Sequence, residues 1–145
     1  MIAVDTNVLV YAHREEFPLH RAAARRLQQL AEGSALWGLP VFCVGEFVRV
    51  VTHPRVLVPP SRLEEALAAL QGLIESPSLV VLAPGERFWR LLHEAIVQAQ
   101  ATGNLAFDAQ IVALCREHGV RTLLTEDRDF ARFSGLHTER LEQGG

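Results

Sequence analysis

Four aspartates stand against thirteen glutamates in this chain, and Asp5, Asp108, Asp127 and Asp129 each fall where a strand ends or a helix begins. A chain that meets its solubility needs with glutamate on helix surfaces keeps aspartate for caps, turns and ligands. Glu46 joins them as one of only two charges in the apolar stretch 41–52, because a carboxylate buried without a partner is costly and must be compensated. In an open parallel sheet, ligands bind outside the carboxyl ends of the strands. Asp5, Asp108 and Asp127 are spaced to converge on one such rim. Singly, each acid has a structural explanation: Asp5 and Asp108 as helix caps, Asp127 as a turn residue, Glu46 as the i,i+3 partner of Arg49. Four carboxylates at one end of a sheet, however, repel one another unless a divalent cation holds them. Oxygen-only ligands indicate Mg2+ or Mn2+ rather than zinc, and the six histidines show neither HExxH nor a paired spacing.

The elements that must position these acids alternate between short strands and longer helices. Ile2-Ala3-Val4 is a strand, with Asp5, Thr6 or Asn7 available to cap the helical turn that follows. Pro18 opens a helix through Glu32, and Ala35-Leu36-Trp37 reads as a strand ending at Gly38. Pro40 starts a helix from Val41 to Thr52 that is apolar on nearly all sides and so expected to be largely buried. Ser61-Arg62-Leu63-Glu64 is a capping box for a helix reaching about Glu75. The apolar run Leu79 to Leu82 suits a central parallel strand. A helix is expected over 85–102, stopped by Gly103. Phe107, Ile111, Leu114, Cys115 and His118 make a further helix stripe that ends at Gly119. Arg121 to Thr125 is a strand, Asp129 to Phe133 a turn of helix capped by Asp129, and the tail from Gly135 holds an edge strand before a loose Gln143-Gly144-Gly145. The pattern predicts a three-layer α/β/α sandwich on a mainly parallel sheet. With no repeat or linker, residues 1–145 form one domain.

Composition narrows the chemistry further. At 145 residues and 49% hydrophobic the chain folds as a globular domain, and no apolar run is long and uncharged enough to span a bilayer. No export signal is visible, and Cys43 and Cys115 each lie in apolar stretches, which fits a reducing cytoplasm. All 14 basic residues are arginine. Without lysine, a Walker-type phosphate loop, haloacid-dehalogenase-type phosphatases, receiver domains and Schiff-base chemistry are excluded. GC-rich coding explains the arginine bias more simply than a need for bidentate phosphate contacts does, although arginine is the side chain best suited to those contacts.

The opening Met-Ile-Ala-Val-Asp5-Thr6-Asn7-Val8-Leu9, the lone Glu46, Phe107-Asp108-Ala109-Gln110-Ile111-Val112-Ala113-Leu114 and Thr125-Glu126-Asp127-Arg128-Asp129-Phe130 occur in an order that resembles the PIN domain. More narrowly, the set is similar to the VapC toxins of toxin–antitoxin pairs, over the whole chain. The resemblance implies that Asp5, Glu46, Asp108 and Asp127 bind metal, with Thr6, Asn7 and Thr125 as supporting polar groups. Asn104 departs from relatives that carry another acid there. It further implies Mg2+-dependent hydrolysis of RNA phosphodiesters, a homodimer and a VapB-like antitoxin as partner. A net charge of −3 argues against broad RNA affinity, so local arginines must position phosphates: Arg14, Arg21, Arg25, Arg26 and Arg49 are the candidates. Phe17, Trp37, Phe42 and Trp89 are candidate interface residues. Other classes are a non-catalytic PIN-like binding module and a metal-dependent DNA nuclease or phosphatase.

Overall fold

The computed structural model describes residues 1–141, so the expected loose end at Gln143-Gly144-Gly145 lies outside the described residues. The elements run β1 (Ile2–Val4), α1 (Thr6–His13), α2 (His20–Glu32), β2 (Trp37–Pro40), α3 (Val41–Val51), α4 (Leu63–Ile74), β3 (Leu79–Leu82), α5 (Phe88–Ala99), α6 (Leu105–Glu117), β4 (Thr122–Leu124), a 3-10 turn (Arg128–Arg132) and β5 (His137–Glu139). The strands form one parallel sheet in the order β3-β2-β1-β4-β5.

That order fixes the layers. The first two crossovers step from β1 to β2 to β3, and the third returns to the far side of β1. Right-handed connections therefore place α1 to α4 on one face and α5 and α6 on the other. The packing agrees: α1 lies on α2 and α3, while α5 lies on α6. The expected sandwich is the observed one. The chain's direction reverses between β1 and β4, so the crevice at their carboxyl ends is the sheet's switch point, where such folds bind ligands. Val4 is in register with Leu124 there, which brings Asp5 beside Thr125.

The centre of the core is Val4, Leu39, Trp37, Leu123, Leu124 and Phe130 from the sheet and its connections, with Phe47, Val112 and Leu114 from the covering helices. Trp37 is fully buried, its indole N–H donating to Ser78 Oγ, so it is a core residue and not an interface one. Gly38 is needed where it stands, since a Cβ there would meet Leu82 Cδ1 at 2.8 Å.

Several expectations are corrected. The run Leu79–Leu82 forms an edge strand, with Val81 exposed. Four apolar residues in a row record β propensity, whereas position in the sheet is set by the crossovers. The helix α3 buries only Cys43, Phe47 and Val51, at i, i+4 and i+8. Its remaining apolar residues are half-buried, and of these Phe42 and Val50 line cavities. Ser61 does not cap α4. Arg62 holds the cap position with no side-chain bond, and Ser61 Oγ instead meets His13 Nε2 and Arg14 Nη1. The helix expected from Pro18 begins at His20, after a turn closed by the His20 N–H on the Phe17 carbonyl. The strand expected over Ala35 to Gly38 lies two residues later, and the helix expected over 85–102 ends at Ala99, with Gln100 in the left-handed conformation.

Candidate metal centre at the carboxyl rim

Asp5 is the first residue beyond β1 and the N-cap of α1. Its Oδ1 accepts the Thr6 N–H at 2.8 Å, and its Oδ2 accepts from Thr125 Oγ1 at 2.8 Å and Asn7 Nδ2 at 3.2 Å. The Cys43 thiol faces Oδ1 at 3.9 Å. Asn7 also ties the site to the loop after β4, donating to Thr125 Oγ1 and accepting the Glu126 N–H. These three polar residues fix the Asp5 carboxylate in one orientation. The expected supporting set of Thr6, Asn7 and Thr125 is thus in contact with the acid it was assigned to.

Asp108 lies in the first turn of α6, and its carboxylate accepts no hydrogen bond among the described residues. One carboxylate oxygen from each of Asp108, Asp127 and Asp129 falls within 4.8 Å of the other two. Asp5, Glu46, Asp108 and Asp127 line one cavity of about 300 Å³ with Thr6 and Asn7, and no basic side chain lines it. The whole expected quartet is therefore brought together.

Asp129 is a correction. The cap of the turn after β4 is Asp127, not Asp129: its Oδ1 accepts the Asp129 N–H at 2.9 Å. The helical turn begins one residue earlier than expected, and this leaves the Asp129 carboxylate free to join Asp108 and Asp127. Phe107 is a second correction. It was placed on the buried stripe of α6, yet it is 62% exposed and stands at the cavity mouth. Of the expected stripe, Ile111, Leu114 and Cys115 are buried, while His118 at the far end is exposed and bonds the Ala83 carbonyl.

Burial pushes the Asp5 carboxyl up to about 6, against the opposing hydrogen bonds from Thr125 and Thr6, with Glu46 and Asp127 adding repulsion. Asp108 rises to about 7, by burial first and then by the charges of Asp127, Asp5, Asp129 and Glu46. These shifts make a testable statement about the metal-free protein. Unfolded aspartate titrates near 3.8, so at pH values between there and about 7 the folded chain binds more protons and gains stability as the pH falls. In EDTA the melting temperature is expected to rise from pH 8 to pH 5. Saturating Mn2+ should flatten or reverse that trend, because the ion requires ionised ligands. A metal-free melting temperature that drops steadily over the same range would contradict the account.

The arginines divide. Arg14 is held within the fold, donating to Glu16, to the Pro59 carbonyl at 2.8 Å and to Ser61. Arg21 lines a separate cavity with Phe17 and His20. Arg25 and Arg26 line another with Arg140, and Arg26 pairs with Glu139 at 3.4 Å. Arg49 alone of the five borders a cavity that also contains Glu46 and Asp108.

An oxygen-only donor set, two carboxyls raised by burial and mutual repulsion, and a buried Thr6 hydroxyl without a partner among the described residues fit a hard divalent cation. Fold and site together define an α/β/α protein with a carboxylate cluster at the carboxyl rim of its sheet. The family model described as the PIN domain matches residues 2–136, and the chain belongs to the PIN-domain family. Ribonuclease VapC43 of Mycobacterium tuberculosis is 38% identical over 136 residues, covering 94% of this chain and 92% of that protein. Ribonuclease VapC48 of the same organism is 32% identical over 91% of each. Among solved structures, VapBC2 from Rickettsia felis bound to a promoter DNA fragment is similar at a TM-score of 0.70 and 18% identity, covering 98% of this chain and 100% of that one. The resemblance read from the four motifs is borne out.

Proposed function

We propose that the protein is a divalent-metal-dependent endoribonuclease, using Mg2+ or Mn2+, and the toxin of a toxin–antitoxin pair acting in the cytoplasm. The observation that carries the metal requirement is a cavity lined by four carboxylates and no base. Relatives named as VapC ribonucleases support RNA as the substrate and disfavour a non-catalytic module, a DNA nuclease or a phosphatase.

Asp5, Glu46, Asp108 and Asp127 would hold the ion, with Asp129 beside them. When bound, the ion lowers the pKa of a water and neutralises charge on the phosphate. The chain's own residues supply the rest. Asp5 is locked by Thr6, Asn7 and Thr125, so its lone pairs are aimed without rearrangement. Glu46, from α3, lines the same cavity as Asp127 from the loop after β4. Arg49 is the arginine placed to hold a substrate phosphate near the acids.

Solved VapBC complexes support an antitoxin of the VapB kind as partner. Two exposed stripes are available to it or to a second copy in a homodimer: Leu63, Leu67 and Ile74 on α4, and Trp89 and Val97 on α5. No helix among the described residues is long and apolar enough to cross a membrane.

Purified protein is expected to cut a structured RNA in Mg2+ or Mn2+ and to leave it intact in EDTA, read on a denaturing gel. Cutting in EDTA, or none with either ion, would overturn the reading.

A further inference from the structure

Beside the acidic cavity lies a second of about 650 Å³, and Glu46, Phe107 and Asp108 belong to the walls of both. Its other polar lining residues are Arg49, Asn104 and Gln110. The side chains of these three make no hydrogen bond or ion pair among the described residues. Phe107 makes no aromatic contact with another ring there, although Phe42 and Phe88, nearby, pair at 5.9 Å. A single exposed aromatic residue is unremarkable on a protein surface. This one stands on the ridge between a carboxylate cluster and a cavity furnished with two unpaired amides and a guanidinium.

Those are the parts from which single-stranded RNA sites are made. An aromatic face stacks an unstacked base, amides read its edge, and arginine takes a phosphate. We infer that Phe107 is the stacking platform for the nucleobase next to the scissile phosphate. Asn104 and Gln110 bond that base's edge, and Arg49 holds the next phosphate along. The shared wall supplies the geometry: a base lying on Phe107 in the larger cavity leaves its own phosphate at the adjoining acidic cavity, where the ion held by the carboxylates would meet it. Asn104 thereby gains a role that an acid could not fill equally well, since an amide offers both a donor and an acceptor.

The inference rests on the ribonuclease reading, and the test separates the two. Wild type, F107A, F107W, N104A and Q110A are incubated in Mn2+ with a hairpin RNA whose loop is randomised, and cut products are sequenced. F107A is expected to raise KM about tenfold or more with kcat nearly unchanged, and F107W to retain wild-type KM. N104A and Q110A should each flatten the nucleotide preference at the base beside the cut. Tryptophan fluorescence of F107W should be quenched by the RNA beyond the quench seen with wild type. That readout needs no cleavage, so it judges the platform even if no RNA is cut. The inference is overturned by an F107A KM equal to wild type, by equal impairment in F107A and F107W, by no extra quench in F107W, or by unaltered preference in both amide variants. It is also overturned if F107A changes the sedimentation mass, which would make Phe107 a contact between copies.

Discussion

Asp108→Asn is expected to abolish RNA cleavage, by about three orders of magnitude or more at saturating Mn2+, while the metal-free variant melts at a higher temperature than wild type. Two independent features of Asp108 lead to this pair of outcomes. Its carboxylate has no hydrogen-bond donor among the described residues, and its pKa is held up near 7 by burial and by four neighbouring acids. Ionising it is unfavourable in the empty fold, so removing the charge relieves the fold and disables the site. Asp5→Asn should be as inactive, but with less thermal gain. The Asp5 oxygens accept from Thr6, Asn7 and Thr125, and an amide NH2 in place of Oδ2 faces the Asn7 donor and breaks that bond. A cleavage assay and a melting curve in EDTA check both halves. Asp108→Asn with wild-type rates would remove Asp108 from the site; a lower metal-free melting temperature would refute the electrostatic account.

The second large effect concerns the loop after β4. Asp127→Asn should cut the rate by about 100-fold or more with the melting temperature almost unchanged, since asparagine caps a helical turn as well as aspartate does. Asp127→Ala should lose the same activity and also about 1 kcal/mol of stability, because the bond from the Asp129 N–H goes with it. Asp129→Asn should lower the rate by about tenfold or more and leave stability intact, because its carboxylate caps nothing and clusters with Asp108 and Asp127. Single-turnover cleavage at limiting and saturating ion, beside thermal melts of the three variants, reads all of this. Asp129→Asn at wild-type rates under both conditions would return Asp129 to a purely structural role.

Much of this site is local in sequence and was legible for that reason. Asp5 follows its strand directly and caps its helix directly, so strand and cap signals fall within six residues. The choice between Asp127 and Asp129 was not legible, because it turns on whether a short helix starts one residue earlier. That is settled by backbone angles at Asp127, extended at ψ 115°. Phe107 was misread for a related reason: a periodic stripe shows which side of α6 faces inward, but not how far along the helix the covering layer extends. The arginines illustrate a third limit. Arg14 is bound by partners 45 and 47 residues away, a distance at which spacing carries no information. The edge position of β3 likewise follows from crossover direction rather than from its own four residues.

The bond between Asp5 and Thr125 spans 120 positions, and β1 must receive β4, made much later, at its side before that bond can form. On a translating ribosome, the opening strand and its aspartate therefore emerge long before their last partners. Until the loop after β4 has left the ribosome, the nascent chain lacks Asp127, Asp129 and the clamp on Asp5, so the carboxylate cluster is incomplete. The carboxylate cavity, drawn from Asp5, Glu46, Asp108 and Asp127, is therefore completed only after the segment following β4 has been made.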